Sequence, residues 1–295
     1  MILVYRGFLL LSGLLAALSA GPTTAAQQPW QMNLSQGVTQ TSQSAYDLHM
    51  IALWICAVIG LIVFGLMTVA MFRFRKSKGA VPANWSHNTK AEVILTVVPA
   101  LILAGMAWPA TKVMLHSADT SKSELTIKIT GYQWKWRYEY LGTQVNFLSS
   151  LKRDSDQIRR LRSGLDPKSV EHYLLDVDHP LVIPADTKVR FLLTSGDVIH
   201  SWWVPDLGWK QDAIPGQVND NWTRVSKPGV YRGQCAELCG KDHGFMPIVV
   251  EVKPKLEFEA WLQQQNLAAG SEAAASSEPL ATASSAPAAT STTLN

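Results

Sequence analysis

Two long apolar stretches decide what this chain can be. His49 to Phe72, "HMIALWICAVIGLIVFGLMTVAMF", and Ala91 to Leu115, "AEVILTVVPALILAGMAWPATKVML", are each long enough for a helix to cross a hydrocarbon core about 30 Å thick. Inside a bilayer a helix satisfies its own backbone, and Pro99 and Pro109 in the second stretch are tolerated there. The loop between the stretches carries Arg73, Arg75, Lys76, Lys78 and Lys90 and no acid. Positive loops stay on the cytoplasmic side, so both ends of the hairpin face outward. The first 26 residues agree. They hold one arginine, a short apolar run and then small residues with cleavage points between Ser19 and Ala26, which is the pattern of an export signal. Residues 27–45 are expected to be a polar, extended mature segment. A hairpin is expected over 46–116, with spans at about 49–72 and 91–115. The chain is thus predicted to be a multi-pass protein of a bacterial-type inner membrane, with both termini on the periplasmic side.

Residues 117–265 then form a domain on the outer face. Within it nineteen Lys and Arg balance nineteen Asp and Glu, and a formal net charge of +3 for the whole chain is too small to indicate a nucleic-acid partner. The pattern is β. In "ELTIKITGYQWKWRYEY" the apolar residues alternate as Leu125, Ile127, Ile129 and then as Trp134, Trp136, Tyr138, Tyr140, and the parity flips at Thr130-Gly131 as a bulge would make it do. "HYLLDV", "KVRFLLTS", "NWTRVS", "GVYRGQC" and "MPIVVEV" are further strand candidates, separated by Pro/Gly turns. Many short strands predict a sandwich or Greek-key barrel. "KLEFEAWLQQQ" predicts a closing helix, and the Ala/Ser/Thr-rich residues 266–295 predict a disordered tail. The charged stretch 152–168 carries no recognisable motif.

The chemistry concentrates in "GQCAELCGKDHGFM", Gly233 to Met246. Cys235 and Cys239 are two of only three cysteines in the chain. A disulfide is compatible with an oxidising compartment. Zinc fits poorly, because thioether is not among its usual donors and Met246 stands in the set. Thiolate, imidazole and thioether together suit copper. The second histidine such a site needs is His200, at the end of "KVRFLLTSGDVIH". Two thiolates can bridge two copper ions that share one electron, so geometry changes little between redox states. Copper is therefore the favoured reading, and His172 and His179 are read as ordinary packing residues.

"GYQWKWRYEY", "DVIHSWWVPDLGWKQDAIPG" and "YRGQCAELCGKDHGFMPIVVEV" resemble subunit II of the haem–copper cytochrome c oxidases, over roughly residues 40 to 262. The resemblance implies a two-helix membrane hairpin followed by an all-β cupredoxin-like Greek-key sandwich. It implies a dinuclear copper A centre held by His200, Cys235, Cys239, His243 and Met246 and by the Glu237 backbone carbonyl. The Glu237 carboxylate is implied to reach a magnesium ion shared with the haem-containing subunit I. Trp134 is implied as the point of electron uptake from cytochrome c, and Glu92 as the mouth of a proton path. Glu139, Asp178 and Asp197 match carboxylates that steer the docking cytochrome. Lys135 and Gly196 depart from the aromatic and the acid found at those places in many relatives. The implied function is electron delivery to subunit I for reduction of oxygen to water coupled to proton translocation. The chain would be one part of an enzyme assembled with other oxidase subunits, since no haem ligand set is evident in it. A quinol oxidase subunit II shares the architecture and lacks the copper ligands. A nitrous oxide reductase domain lacks the spans, and a membrane-anchored thiol–disulfide carrier has no use for Met246.

Overall fold

In the computed structural model, residues 31–276 are described. The expected signal at 1–26 and the tail beyond 276 lie outside the described residues.

Helices α1 (Gln40–Arg73) and α2 (Thr89–Ala118) form the hairpin. At 34 and 30 residues and 1.5 Å per residue they run to about 51 and 45 Å, well beyond a hydrocarbon core. Their mid-sections expose Leu53, Ile62, Phe64, Leu66, Leu101 and Leu103, an apolar surface that only lipid or a partner helix can cover. The first helix starts at Gln40, so the expected extended segment ends earlier than Ser44. Thr39 is the reason: its hydroxyl accepts from Ser42 N while Ser42 Oγ accepts from Thr39 N, a reciprocal capping box. Polar residues there mark a helix standing in water rather than an extended chain.

Both outer ends of the hairpin are tied to the β domain. Thr39 Oγ1 donates to Leu207 O at 3.1 Å, and Thr39 bridges Val225. Gly208 has φ +83, and a Cβ there would lie 2.3 Å from Ser42 Cα, so only glycine allows this approach. After α2, Lys188 Nζ donates to the carbonyls of Asp119 and Ser121, and Thr120 Oγ1 donates to Asp220. The basic loop therefore sits at the far end of the hairpin from the β domain.

The domain has two five-stranded sheets. The first contains β1 (Leu125–Tyr132), β2 (Lys135–Tyr140), β3 (Asn146–Ser149), β5 (Val189–Ser195) and β8 (Asn219–Thr223), in the order β3-β2-β1-β5-β8. The second contains β4 (Leu181–Pro184), β6 (His200–Val204), β7 (Trp209–Ala213), β9 (Gly229–Cys235) and β10 (Pro247–Lys253), in the order β4-β10-β9-β6-β7. The β1–β5 and β4–β10 pairs are parallel and join strands distant in sequence, so the connections cross. The predicted cupredoxin-like sandwich behind two apolar helices is the fold observed. Its core takes one face of each strand: in β2, Trp136, Tyr138 and Tyr140 are buried while Lys135, Arg137 and Glu139 are not.

Four expectations need correction. The parity flip after Ile129 is a hairpin turn at Gln133-Trp134, with Tyr132 opposite Lys135, and not a bulge. "HYLLDV" is not a strand, because His172 and Leu174 have φ of 55 and 63, in the left-handed region that a strand excludes. The closing helix α4 runs from Lys255 to Ser276 and takes in the first part of the expected tail. Alanine and glutamate are good helix formers, so its low hydrophobicity did not prevent helix formation. Finally, the charged stretch contains a short helix, α3 (Arg153–Ile158).

Asp206 follows β6 and is 5% exposed, with Oδ1 lacking any partner. Burial pushes its carboxyl up to about 6, offset only in part by a hydrogen bond with Ser35. The folded chain thus binds this proton more tightly than the unfolded one, whose aspartate titrates near 3.9. The stabilisation is complete below about pH 4 and is lost as pH rises through about 6. Asp206→Asn removes that term. Unfolding midpoints of the detergent-solubilised chain should draw apart between about pH 4 and 6 and stay apart above it, with the variant the more stable by about 1–3 kcal/mol. Parallel pH profiles for the two proteins would contradict the buried charge.

Candidate metal centre

The loop from Cys235 to Met246 joins β9 to β10 and lies beside the start of β6. Trp202 on β6 pairs with Cys235, and Ala236 N donates to Ser201 O at 2.9 Å. This antiparallel register brings His200, 35 residues upstream, onto the loop. A ring nitrogen of His200 and the Cys235 and Cys239 sulfurs lie within 4.8 Å of one another, and all three residues are buried. The sulfurs are 3.9 Å apart, far beyond the roughly 2.05 Å of a disulfide. The cysteines are free.

Cys239 is the hub. Its sulfur is 3.5 Å from His243 Nδ1 and 3.5 Å from Met246 Sδ, and Met246 is buried. The Glu237 carbonyl is 3.4 Å from Cys235 Sγ, while the Glu237 side chain points outward and is exposed. The six groups named from the sequence therefore come together, and the Glu237 carboxylate leaves them for the surface.

The surroundings orient the donors. His200 Nε2 contacts Asp197 Oδ1 at 2.9 Å, so with the proton on Nε2 the bare Nδ1 faces Cys235 Sγ, 4.0 Å away. A carboxylate behind a histidine is how metal-ligating imidazoles are commonly held. The edge of Trp136 packs on the His200 ring, with centroids 5.9 Å apart, and its Nε1 donates to Met246 O. Gly131 gives His200 its room, since a Cβ there would fall 2.8 Å from the ring.

Charge within the set is unbalanced. Burial works against the Cys235 thiolate, but bonds with His200 and with the Ser201 and Glu237 backbone win, and its thiol is lowered. Burial and the charge on Cys235 push Cys239 up to about 12. Burial disfavours charge on His200, yet Cys235 and Asp197 together raise it. Two thiolates this close repel unless a cation lies between them, and a bound metal deprotonates its thiols outright. The donors thus fit a soft metal, with sulfur, imidazole and thioether in the proportion that suits copper.

The other expected residues lie around or away from this centre. Trp134 is half-buried on the β1–β2 turn, and its Nε1 donates to Cys239 O at 3.3 Å. Lys241 Nζ lies 5.5 Å from the centroid of its ring. Asp197 is bound inward on both oxygens, to His200 and Val198 N through one and to Gln133 N through the other. Burial opposes its charge, and these bonds more than compensate, so its carboxyl is lowered. Glu139 pairs with Lys128 at 3.0 Å, and Asp178 accepts from Ser150 N and His179 N. Glu92 stands in the first turn of α2, where its carboxylate accepts from Asn88 N and pairs with His87. Sequence reasoning missed Gln133, whose Nε2 donates to Cys239 O at 2.9 Å, and the orienting role of Asp197. The short Asp197-to-His200 spacing is the one signal that pointed to the latter.

Comparison with known proteins gives one family. The model of the cytochrome c oxidase subunit II periplasmic domain matches residues 125–253, and that of the same subunit's transmembrane domain matches residues 27–113. A probable cytochrome c oxidase subunit 2 from Rickettsia conorii is 44% identical over 238 residues, covering 81% of this chain and 73% of that protein. The cytochrome c oxidase subunit 2 of Arabidopsis thaliana is 37% identical over 242 residues, covering 81% of this chain and 91% of that one. Among solved structures, the periplasmic domain of subunit II of the Bradyrhizobium japonicum cytochrome oxidase aligns with a TM-score of 0.43 and 38% identity. That alignment covers 51% of this chain and 99% of that domain.

Proposed function

The chain belongs to the cytochrome c oxidase subunit II family, and we propose that it takes up electrons one at a time from cytochrome c and passes them to haem in subunit I. It is a membrane protein and one part of an oxidoreductase complex. The observation that carries the proposal is the convergence of His200, Cys235 and Cys239 within 4.8 Å, with His243 and Met246 against Cys239.

Two copper ions held by His200, Cys235, Cys239, His243, Met246 and the Glu237 carbonyl would supply a one-electron carrier that needs little rearrangement. His200 is held by Asp197 and Trp136, which limits motion of its ring. Buried Met246 and the β6 ladder keep water from the sulfurs. Trp134 offers an aromatic surface at the domain's edge and touches the Cys239 carbonyl, a short bonded route from a docked donor to a ligand. Docking carboxylates are assigned to Glu139, Asp178 and Asp197. The Glu139–Lys128 pair weakens the first of these and Asp197 is turned inward onto His200, which leaves Asp178 as the carboxylate freest to steer.

The Glu237 carboxylate, carried outward by a backbone pinned between two ligands, is assigned to a magnesium ion shared with subunit I. Glu92, an ionisable group at a helix end near the inner surface, is assigned to the start of a proton path in the translocating complex. The positive loop at the far end of the hairpin supports a periplasmic position for the copper domain and both termini. A quinol oxidase subunit is disfavoured because all five side-chain donors are present.

Metal analysis of the purified oxidase tests the proposal. The expected result is two coppers in this subunit, a purple colour and an electron spin shared by both ions. A colourless subunit with a copper-free dithiol would refute it.

A further inference from the structure

The stretch after Leu151, which has no motif in sequence, packs against the copper-ligand loop. Arg159, just beyond α3, lies with its guanidinium carbon 4.3 Å from the Phe245 ring centroid. Its Nη1 pairs with Asp242 at 3.2 Å, and its Nε is held by Asp156 at 2.8 Å. The side chain is only 25% exposed. Asp242 and Phe245 flank His243, the one side-chain donor of the set that is not fully buried.

The same segment holds the other arm of the loop. Asp176 pairs with Arg232 at 3.0 Å and with Lys152 at 3.4 Å. Arg232 lies on β9, three residues before Cys235. The segment is itself anchored: Leu151 bridges Val177, Lys152 N donates to Asp176 O, Leu174 N donates to the fully buried Ser155, and Ile158 is 8% exposed. It thus forms a braced unit touching the strand that enters the loop and the turn that carries His243.

We infer that residues 151–178 act as a clamp on the copper loop, with Arg159 as a positioning residue that sets the orientation of His243 through Asp242 and Phe245. Within residues 240–246 the backbone bonds are local, His243 N to Gly240 O and Phe245 N to Asp242 O. The ends of the arm are pinned, at the Cys239 carbonyl by Gln133 and Trp134 and at the Met246 carbonyl by Trp136, but local turns leave residues 240–245 between them free to shift. An arginine that stacks on one side of His243 and ion-pairs on the other removes that freedom, and its planar fork is suited to both contacts at once. The inference rests on the copper-site reading above and goes beyond it by assigning a segment outside the ligand loop.

The test compares oxidase complexes carrying wild-type subunit, Arg159→Ala, Arg159→Lys and Asp242→Asn. Direct outer partners of metal ligands are commonly worth about 10–100-fold in metal affinity; Arg159 acts through the neighbours of His243, so copper loss to a chelator should be faster by about 10-fold, the low end of that range, in Arg159→Ala. The histidine hyperfine signature and the reduction potential of the pair should move with it. Arg159→Lys should fall between wild type and Ala, since an ammonium keeps the charge opposite Asp242 and loses the flat stacking. If the alanine variant does not assemble, the lysine and Asp242→Asn variants carry the test, because both keep the packing of the segment. A wild-type copper pair with unaltered spectrum and copper retention in the variants, even at lowered melting temperature, overturns the clamp. A wild-type complex without any copper pair overturns the functional reading and the clamp together.

Discussion

Cys239→Ser is expected to leave a folded, membrane-inserted chain that has lost its copper pair. Cys239 is 4% exposed, and its sulfur stands 3.9 Å from Cys235 Sγ and 3.5 Å from both His243 and Met246. Serine keeps the shape and adds a buried hydroxyl, which costs about 1–3 kcal/mol if it finds no partner. The ten-strand framework does not depend on that one atom, because the loop's carbonyls and the β6–β9 ladder stay in place. Metal binding does depend on it. An alcohol oxygen stays protonated near neutral pH and cannot bridge two soft ions, so at most one copper remains, weakly held. Oxidation of reduced cytochrome c by the assembled oxidase should fall by more than about 100-fold, since even outer partners of ligands cost 10–100-fold. The visible spectrum decides it: a purple two-copper centre surviving in the serine variant would remove the bridging role from Cys239.

Trp134→Ala should act on the rate and spare the metal. The Cys239 carbonyl receives two donors, Trp134 Nε1 at 3.3 Å and Gln133 Nε2 at 2.9 Å. When the indole goes, the shorter of the two bonds remains and the loop keeps its anchor. Gln133 is in turn held by Asp197, which receives its backbone N–H at 2.7 Å. Copper content and spin-resonance line shape should therefore match wild type. Electron uptake should slow by at least about 10-fold, because the docked donor loses its contact surface and positioning errors near 1 Å can cost about 100-fold. Trp134→Phe, which keeps an aromatic surface without the N–H, should retain most of the rate. Stopped-flow reduction of the copper centre separates these effects from later steps. Wild-type kinetics in the alanine variant would mean that electrons arrive elsewhere.

Residues at fixed short spacing were legible before any fold. Cys235, Cys239, His243 and Met246 sit within one loop, so chain connectivity alone keeps them near each other. The spans at 49–72 and 91–115 were legible for another reason: in a bilayer, hydrophobic length alone is enough to specify a helix. Strands with a clear signal, Val189–Ser195 by alternation and Pro247–Lys253 by its apolar run, were found. Strands lacking it were not. Leu181–Pro184 is buried at every position, and Trp209–Ala213 and Asn146–Ser149 alternate too weakly or too briefly to be read. The left-handed turns at His172 and Leu174 misled the reading, because their residue types give no sign of such backbone.

The amino-acid order determined the membrane hairpin, the β character of the outer domain and the set of soft side chains proposed as metal donors, since each rests on local composition or spacing. Only tertiary structure decided the rest: Asp197 turned inward onto His200, Gln133 and Trp134 joined to Cys239, and Arg159 placed across Asp242 and Phe245. Gln133 and Trp134 lie 106 and 105 positions from Cys239 and Arg159 lies 83 from Asp242, whereas Asp197 and His200 are only three apart. Pairing across such separations follows from strand register and crossed connections, and no local pattern of residues encodes it.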